Sequence, residues 1–514
     1  MTDRRPIEGA TLTTIQAGPT ATTAPGVPSR ADSRASIPRW TLLVLAVAGQ
    51  AALAVAMKSV PSLGIVQAAG VMAVGLYAIG RRNLVLLTCL CAYLTGAEVL
   101  WRQTQVPLPY LMAPYALIAL SLFVVVVLGR LGRDARIAFF YFLLLVPSTV
   151  NTVRGAGGGS RELIAFALSG PLALAAFVAF TSQMKTTRAV YQRILWTVLV
   201  SAVGPLAVAV TDIRSYLAEA GSIEFSKQSN FVTSGGFGPV QVSTVLGLGV
   251  VVAVVLTIME PQRPAKIVAG LLAVGFSVQS LLTFSRGGMF SAAIALSALA
   301  IAQARNRRIR NRIIVVVGLA LTLGYFFVVP WLNDFTGGAF EERFSDTRSG
   351  RTELAANDLT IFTRDPVFGV GPGMTKYQRL GYGICQLRSD DCRDEASSHT
   401  EFTRMLGEHG IPGAIAIGAL AALALRALRS SSKDRPFAVV FVVWAVSQMF
   451  YANLRVVAIP FAFGLAFLTL QDPDEPDDEM ADEPPGDDRA PRPEQNGRAP
   501  HATQTAPVRT LWAE

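Results

Sequence analysis

The feature that most constrains this chain is a set of aliphatic runs such as GPVQVSTVLGLGVVVAVVLTIM, residues 238–259, with no charged side chain. A run of this length spans a bilayer core if it is helical, because roughly 17–22 apolar residues at 1.5 Å rise cover the hydrocarbon. Similar runs lie near 40–57, 63–80, 84–100, 110–128, 136–150, 162–181, 190–210, 266–283, 287–303, 312–331, 411–428, 436–451 and 456–470. In lipid every backbone N–H and C=O must be satisfied within the segment, so recurrent runs imply helices. The expected fold is therefore all-α: a polytopic integral membrane protein with 12–14 transmembrane helices. The composition agrees, with 51% hydrophobic and 16% charged residues, against about 25% charged in soluble domains.

The net charge of +9 raises nucleic acid as a partner, but the cations sit in short connections between runs. These read Arg81-Arg82, GRLGRDAR, KTTRAVYQR, PQRPAK, ARNRRIRNR and RALRSSSKDR. They fall on alternate connections, so all six share one face, which the positive-inside rule makes cytoplasmic. Both tails then lie in the cytoplasm: 1–39, rich in Ala, Thr, Pro and Ser, and 471–514, with the acidic run DPDEPDDEMADEPPGDD. Neither composition supports a packed core, and both are expected to be disordered. Between the tails the expected domains are a membrane region of about eleven spans over 40–331, an extracytoplasmic, partly helical loop over 332–410, and C-terminal spans over 411–470. The shorter connections 151–161 and 211–237 fall on the same outer face as the long loop.

That loop carries Arg343, Arg348, Arg351, Arg364, Lys376, Arg379, Arg388, Arg393 and Arg404. Long loops cross regardless of charge, so this is either a solvated surface or a site for an anion. Ser349 or Thr352 caps a helix with apolar residues at 354, 355, 359 and 362, Asp365-Pro366 ends it, and GVGPG then turns. Cys385 and Cys392 flank QLRSDD; a pair on an oxidising face is expected to form a disulfide. No further Cys or His lies near them except His399, which argues against a metal site. Arg286, in LLTFSRGGMF, either snorkels to the interface or faces an internal cavity, with Gly287 and Gly288 permitting close approach. Glu98 is interfacial or pairs with an arginine. Two of the three histidines, His399 and His409, fall in SSHTEFTRMLGEHGIPG; the bland reading of both is an interfacial residue near a helix end.

Four segments together resemble the O-antigen ligase / Wzy polymerase family of membrane glycan transferases. They are GGFGPVQVSTVLGLG, TFSRGG, SGRTELAANDLTIFTRDPVFGVGPG and SSHTEFTRMLGEHGIPG, in family order. The sequence departs from the family pattern at Val240, followed by Gln241, and at Thr400, where the family often carries Asn. The resemblance implies an enzyme of the bacterial inner membrane, a glycosyltransferase acting at the outer face. Its donor would be an undecaprenyl-diphosphate-linked glycan, and its acceptor a glycan or lipid A-core hydroxyl. It implies no cofactor and no catalytic metal, and no nucleic-acid partner. Polysaccharide-assembly proteins are the expected neighbours. By motif, Arg286, Arg351 and His399 are the expected catalytic residues. An imidazole, ordinarily near pKa 6.5, suits a base for the acceptor hydroxyl, and guanidinium forks suit a departing diphosphate. One base and no evident carboxylate nucleophile imply inversion at the anomeric carbon. Arg348, Arg404 and Gln241 are further substrate-binding candidates. The competing readings are a lipid-linked glycan flippase or other transporter, and a peptidoglycan-type polymerase using an acid such as Asp334, Asp346 or Asp358.

Overall fold

The structure, a computed structural model, describes residues 38–128, 131–226, 228–303, 307–345, 351–381, 398, 400–429, 435–451 and 454–471. Its helices are α1 (Arg39–Ser59), α2 (Ser62–Gly80), α3 (Leu84–Gln103), α4 (Met112–Leu128), α5 (Arg133–Leu145), α6 (Thr149–Ala156) and α7 (Ser160–Thr181). There follow α8 (Arg188–Ala220), α9 (Pro239–Met259), α10 (Arg263–Leu282), α11 (Arg286–Ala302), α12 (Arg307–Leu323), α13 (Val329–Phe335) and α14 (Ala339–Ser345). The chain continues through α15 (Arg351–Arg364), α16 (Thr375–Gly381), α17 (Glu401–Arg429), α18 (Arg435–Gln448) and α19 (Ala458–Leu465). Among the described residues, strand is confined to two three-residue segments. This is an all-α polytopic membrane protein. Each of the fourteen apolar runs overlaps a helix, although that of 456–470 is only Ala458–Leu465. Eight helical stretches are long and apolar enough to cross a membrane, α5 to α7 running on as one of them, and Met112–Val126, Arg286–Ala302 and Pro436–Gln448 are shorter apolar helices.

Local chemistry explains where the spans start and stop. The Asn83 side chain accepts from Leu86 N at 2.9 Å and opens α3. Pro239 sits in the first turn of α9, where no N–H is missed. Gly221, at φ 73°, ends α8. The helices then divide by surroundings. In α9, 89% of the apolar window is buried in protein, whereas in α1 the figure is 17% and in α17 28%. An apolar face that protein does not cover is lipid-facing in a membrane chain, so α9 is the centre and α1, α2, α10 and α17 are the rim.

Small residues set the close contacts, as expected where lipid removes any hydrophobic drive between helices. Gly96 of α3 lies against the Ser201 backbone of α8, Gly170 of α7 against the Leu454 carbonyl, and Gly247 of α9 against Gly288 of α11. Two small apolar clusters tie the long loop to one end of the bundle. One joins Leu282 and Phe284 to Leu332, Ala339 and Phe340. The other packs Ile361, Val370 and Met374 onto Ala156 and Leu163.

Candidate functional site

Three connections meet at that loop end. The turn between α10 and α11 is locked to the segment before α9: Asn230 N donates to Thr283 O at 3.0 Å, and Thr233 Oγ1 donates to Leu282 O at 2.5 Å. Phe284 takes φ 58°, rare for a residue with a side chain. It is held by its fully buried ring between Phe225 and Phe340, and by Arg343 Nε donating to its carbonyl at 3.3 Å. This strained turn delivers Arg286, half-buried, as the first residue of α11. Behind it Gly288 N donates to Ser243 Oγ at 3.2 Å. A Cβ on Gly288 would overlap the Ser243 carbonyl, and one on Gly287 would fall 2.7 Å from Tyr451 Cβ. Gln448 bridges the two helices, accepting from Thr244 Oγ1 at 3.2 Å and donating to Gly287 O at 3.3 Å.

The long loop is anchored by glycines on both partners. Helix α15 spans Arg351–Arg364 and Asp365 follows it. Then Gly369, Gly371 and Gly373 take φ of 63°, 99° and 77°. Their turn lies on a kink in α17 at Gly410, φ 62°. Val370 N donates to Gly407 O at 3.0 Å, Gly371 N to Glu408 O at 2.9 Å, and Ile411 N to Pro366 O at 2.8 Å. From below, Asn151 Nδ2 donates to Gly369 O at 2.8 Å and Thr152 Oγ1 to Pro372 O at 3.0 Å.

Around the start of α17 the charges are buried and paired. Arg404 donates through Nη1 to Glu408 at 2.8 Å, and through Nε and Nη2 to Glu401. Glu401 also accepts from Leu454 N at 3.2 Å, and its own N–H donates to Met449 O at 2.8 Å. Asp358 of α15 accepts from Arg379 Nη2 at 2.7 Å and from Thr403 Oγ1 at 3.1 Å. Arg379 also donates to Ser398 Oγ at 2.9 Å. Ser398 and Thr400 flank His399 in sequence, and Thr400 Oγ1 accepts from Thr403 N at 3.3 Å as the α17 cap. On α3, Glu98 pairs with Arg102 at 2.7 Å and accepts from Val457 N at 2.7 Å. Burial, and then the like charge of Arg404, pushes the Arg455 guanidinium down to about 10, still cationic at neutral pH. Arg455 Cζ lies 4.0 Å from the Phe166 ring centroid, whose neighbour Tyr110 carries Arg102 at 3.8 Å on its own ring. Beside Tyr110 is a cavity of about 220 Å³ lined by Glu98, Trp101, Arg102 and Phe237 among others.

The sequence-derived candidates fare unequally. Arg286 stands where three connections converge. Arg351 opens α15. His399, Arg348, Cys385 and Cys392 lie outside the described residues. Gln241 accepts from Arg102 Nη1 at 2.5 Å and donates to Tyr110 Oη at 3.1 Å. Arg404, expected to meet substrate or water, is instead 1% exposed and engaged by two carboxylates. His409 is not interfacial as expected: it is fully buried, with Nδ1 2.5 Å from Ser148 Oγ. Ser148 Oγ also lies 3.0 Å from Leu145 O. Arg455 and the Asp358–Arg379 pair went unrecognised. Arg455 has no motif around it in YANLRVVAIP, and the only available signal was a lone cation before an apolar run.

An all-helical multi-pass membrane protein with a loop layer clamped over one end, and buried charge beneath that layer, is the class these features define. Residues 271–418 match the family model described as O-antigen ligase, so that region of the chain is similar to the O-antigen ligase/Wzy family. The match holds Arg286, Arg348, Arg351, His399 and Arg404 and ends before Arg455. No curated protein matches the chain. The chain is thus a polytopic membrane protein that carries an O-antigen ligase-like region.

Proposed function

We propose that the protein is a glycosyltransferase of cell-surface polysaccharide assembly. It moves a glycan from undecaprenyl diphosphate to an acceptor sugar hydroxyl, as an O-antigen ligase or a Wzy-type polymerase. It works in the bacterial inner membrane, with both termini cytoplasmic and the site on the outer face. The observation that carries this reading is the 271–418 match, which contains Arg286, Arg351 and His399 in family order. The interlocked turns around Arg286 and the start of α17 support it, because a transferase needs its donor-binding and base-bearing segments held in one register.

In the proposed step the acceptor hydroxyl gives its proton to His399 as its oxygen bonds the anomeric carbon. The bond from that carbon to the diphosphate oxygen breaks, and the electron pair leaves with undecaprenyl diphosphate. Arg286 and Arg351 hold that growing negative charge, so they favour the transition state over the ground state. A single displacement inverts the anomeric centre. Membranes containing the protein, supplied only with a lipid-linked repeat, test the reading. A ladder of products identifies a polymerase. Transfer only when a lipid A-core acceptor is added identifies a ligase. Movement of donor across liposomes with no new glycosidic bond would overturn both.

A further inference from the structure

We infer that Arg455 is a substrate-binding residue that takes phosphate oxygens of the lipid-linked diphosphate, an inference that rests on the proposed transfer reaction. Its side chain makes no hydrogen bond or ion pair with any described residue, and its Nε is enclosed without a partner. An Nε so placed forgoes a partner that water would supply, which costs free energy unless a ligand restores it. The neighbouring acids do not supply the partner. Glu401 and Glu408 are engaged by Arg404, and Glu98 by Arg102.

The residue is also held firmly. The turn that carries it is pinned on both sides by buried carboxylates from different helices: Leu454 N donates to Glu401 of α17 at 3.2 Å, and Val457 N to Glu98 of α3 at 2.7 Å. Gly170 of α7 admits the Leu454 carbonyl into direct contact. The guanidinium plane rests 4.0 Å over Phe166, which fixes its direction through a cation–π contact. Arg404, with its donors engaged, does not compete for the anion, and the charges of Glu408 and Glu401 favour the charged form of Arg455. A planar cation, its turn held by two backbone hydrogen bonds to carboxylates and its plane by an aromatic ring, fits the bidentate recognition of phosphate. A plain charge-balancing role for the two α17 carboxylates would need only the positive charge, which lysine also has.

Titration of the detergent-purified full-length protein with farnesyl diphosphate, read by calorimetry, separates the two roles. The inference expects binding by the unaltered protein, at least tenfold weaker binding by Arg455→Gln, and weaker binding by Arg455→Lys despite an unchanged thermal midpoint. Phosphatidylglycerol is expected not to compete. Unchanged affinity in Arg455→Lys overturns the inference, as does equal competition by phosphatidylglycerol or no binding by the unaltered protein. If Arg455→Gln fails to fold, the lysine variant alone decides. Absence of glycan transfer, with diphosphate binding still dependent on Arg455, would remove the transferase reading and leave the anion site standing. Normal transfer at an unchanged donor KM in Arg455→Lys would do the reverse.

Discussion

Arg404 and Arg455 face the same pair of carboxylates and differ in what they hold. Arg404 is buried with its forks on Glu401 and Glu408. Removing it would strand two carboxylates in a dry site, so Arg404→Leu is expected to lower stability by about 3–5 kcal/mol, read as a lower thermal midpoint in detergent. An inactive Arg404→Leu with an unchanged midpoint would instead indicate contact with substrate. The proposed diphosphate contact of Arg286 needs the fork and not only the charge, so Arg286→Lys is expected to cut turnover at least tenfold with normal membrane expression, and full turnover would sink the bidentate argument. The place of a single residue was legible where a local motif marks it, as with Arg286 at the turn in TFSRGG. It was not legible where the partner is remote. His409 meets Ser148 across 261 positions, and Glu98 was undecided between solvent and an arginine until Arg102 and the Val457 N–H were seen to hold it. Nothing in a hydropathy pattern distinguishes a histidine at an interface from one sealed against a serine of another connection.

At the scale of elements, α15 could be read directly. Its apolar spacing and the Asp365-Pro366 stop give Arg351–Arg364, and GVGPG is a turn with positive φ at its three alternate glycines. Sequence did not disclose that this turn seats on a second glycine break, Gly410, because the two are joined only through the backbone bonds at Val370, Gly371 and Ile411. Gly410 combines φ 62° with a Cβ position that would overlap the Pro366 carbonyl and lie 2.7 Å from Gly369 N. Gly410→Ala is therefore expected to cost about 1–3 kcal/mol and to loosen the loop from α17. Limited proteolysis of the 332–410 loop measures that loosening; resistance equal to the unaltered protein would mean that the clamp tolerates a side chain. The same element-level logic makes Phe284 informative. A non-glycine residue at φ 58°, two positions before Arg286, shows that the turn's shape is imposed by its surroundings rather than by local preference.

For the whole molecule, hydropathy located helices, because lipid leaves the backbone only one solution in an α-helical chain; eight helical stretches among the described residues are long and apolar enough to cross a membrane, and how many runs span was not legible. The assignment of faces rests on six basic connections, so a reporter fused after residue 470 is expected to be active only as a cytoplasmic fusion; periplasmic activity would reverse the topology. Donor chemistry built on guanidinium forks and an imidazole calls for no divalent ion, and turnover by the purified protein is expected to survive a chelator. Activity lost to the chelator and restored by a divalent cation would contradict that. The central claim is that the imidazole of His399 takes the acceptor proton. The most direct measurement is transfer from a purified undecaprenyl-diphosphate-linked glycan by His399→Ala at matched expression and matched thermal midpoint. The account predicts at least a hundredfold loss of glycosidic bond formation with donor binding retained, and transfer at the unaltered rate would contradict it.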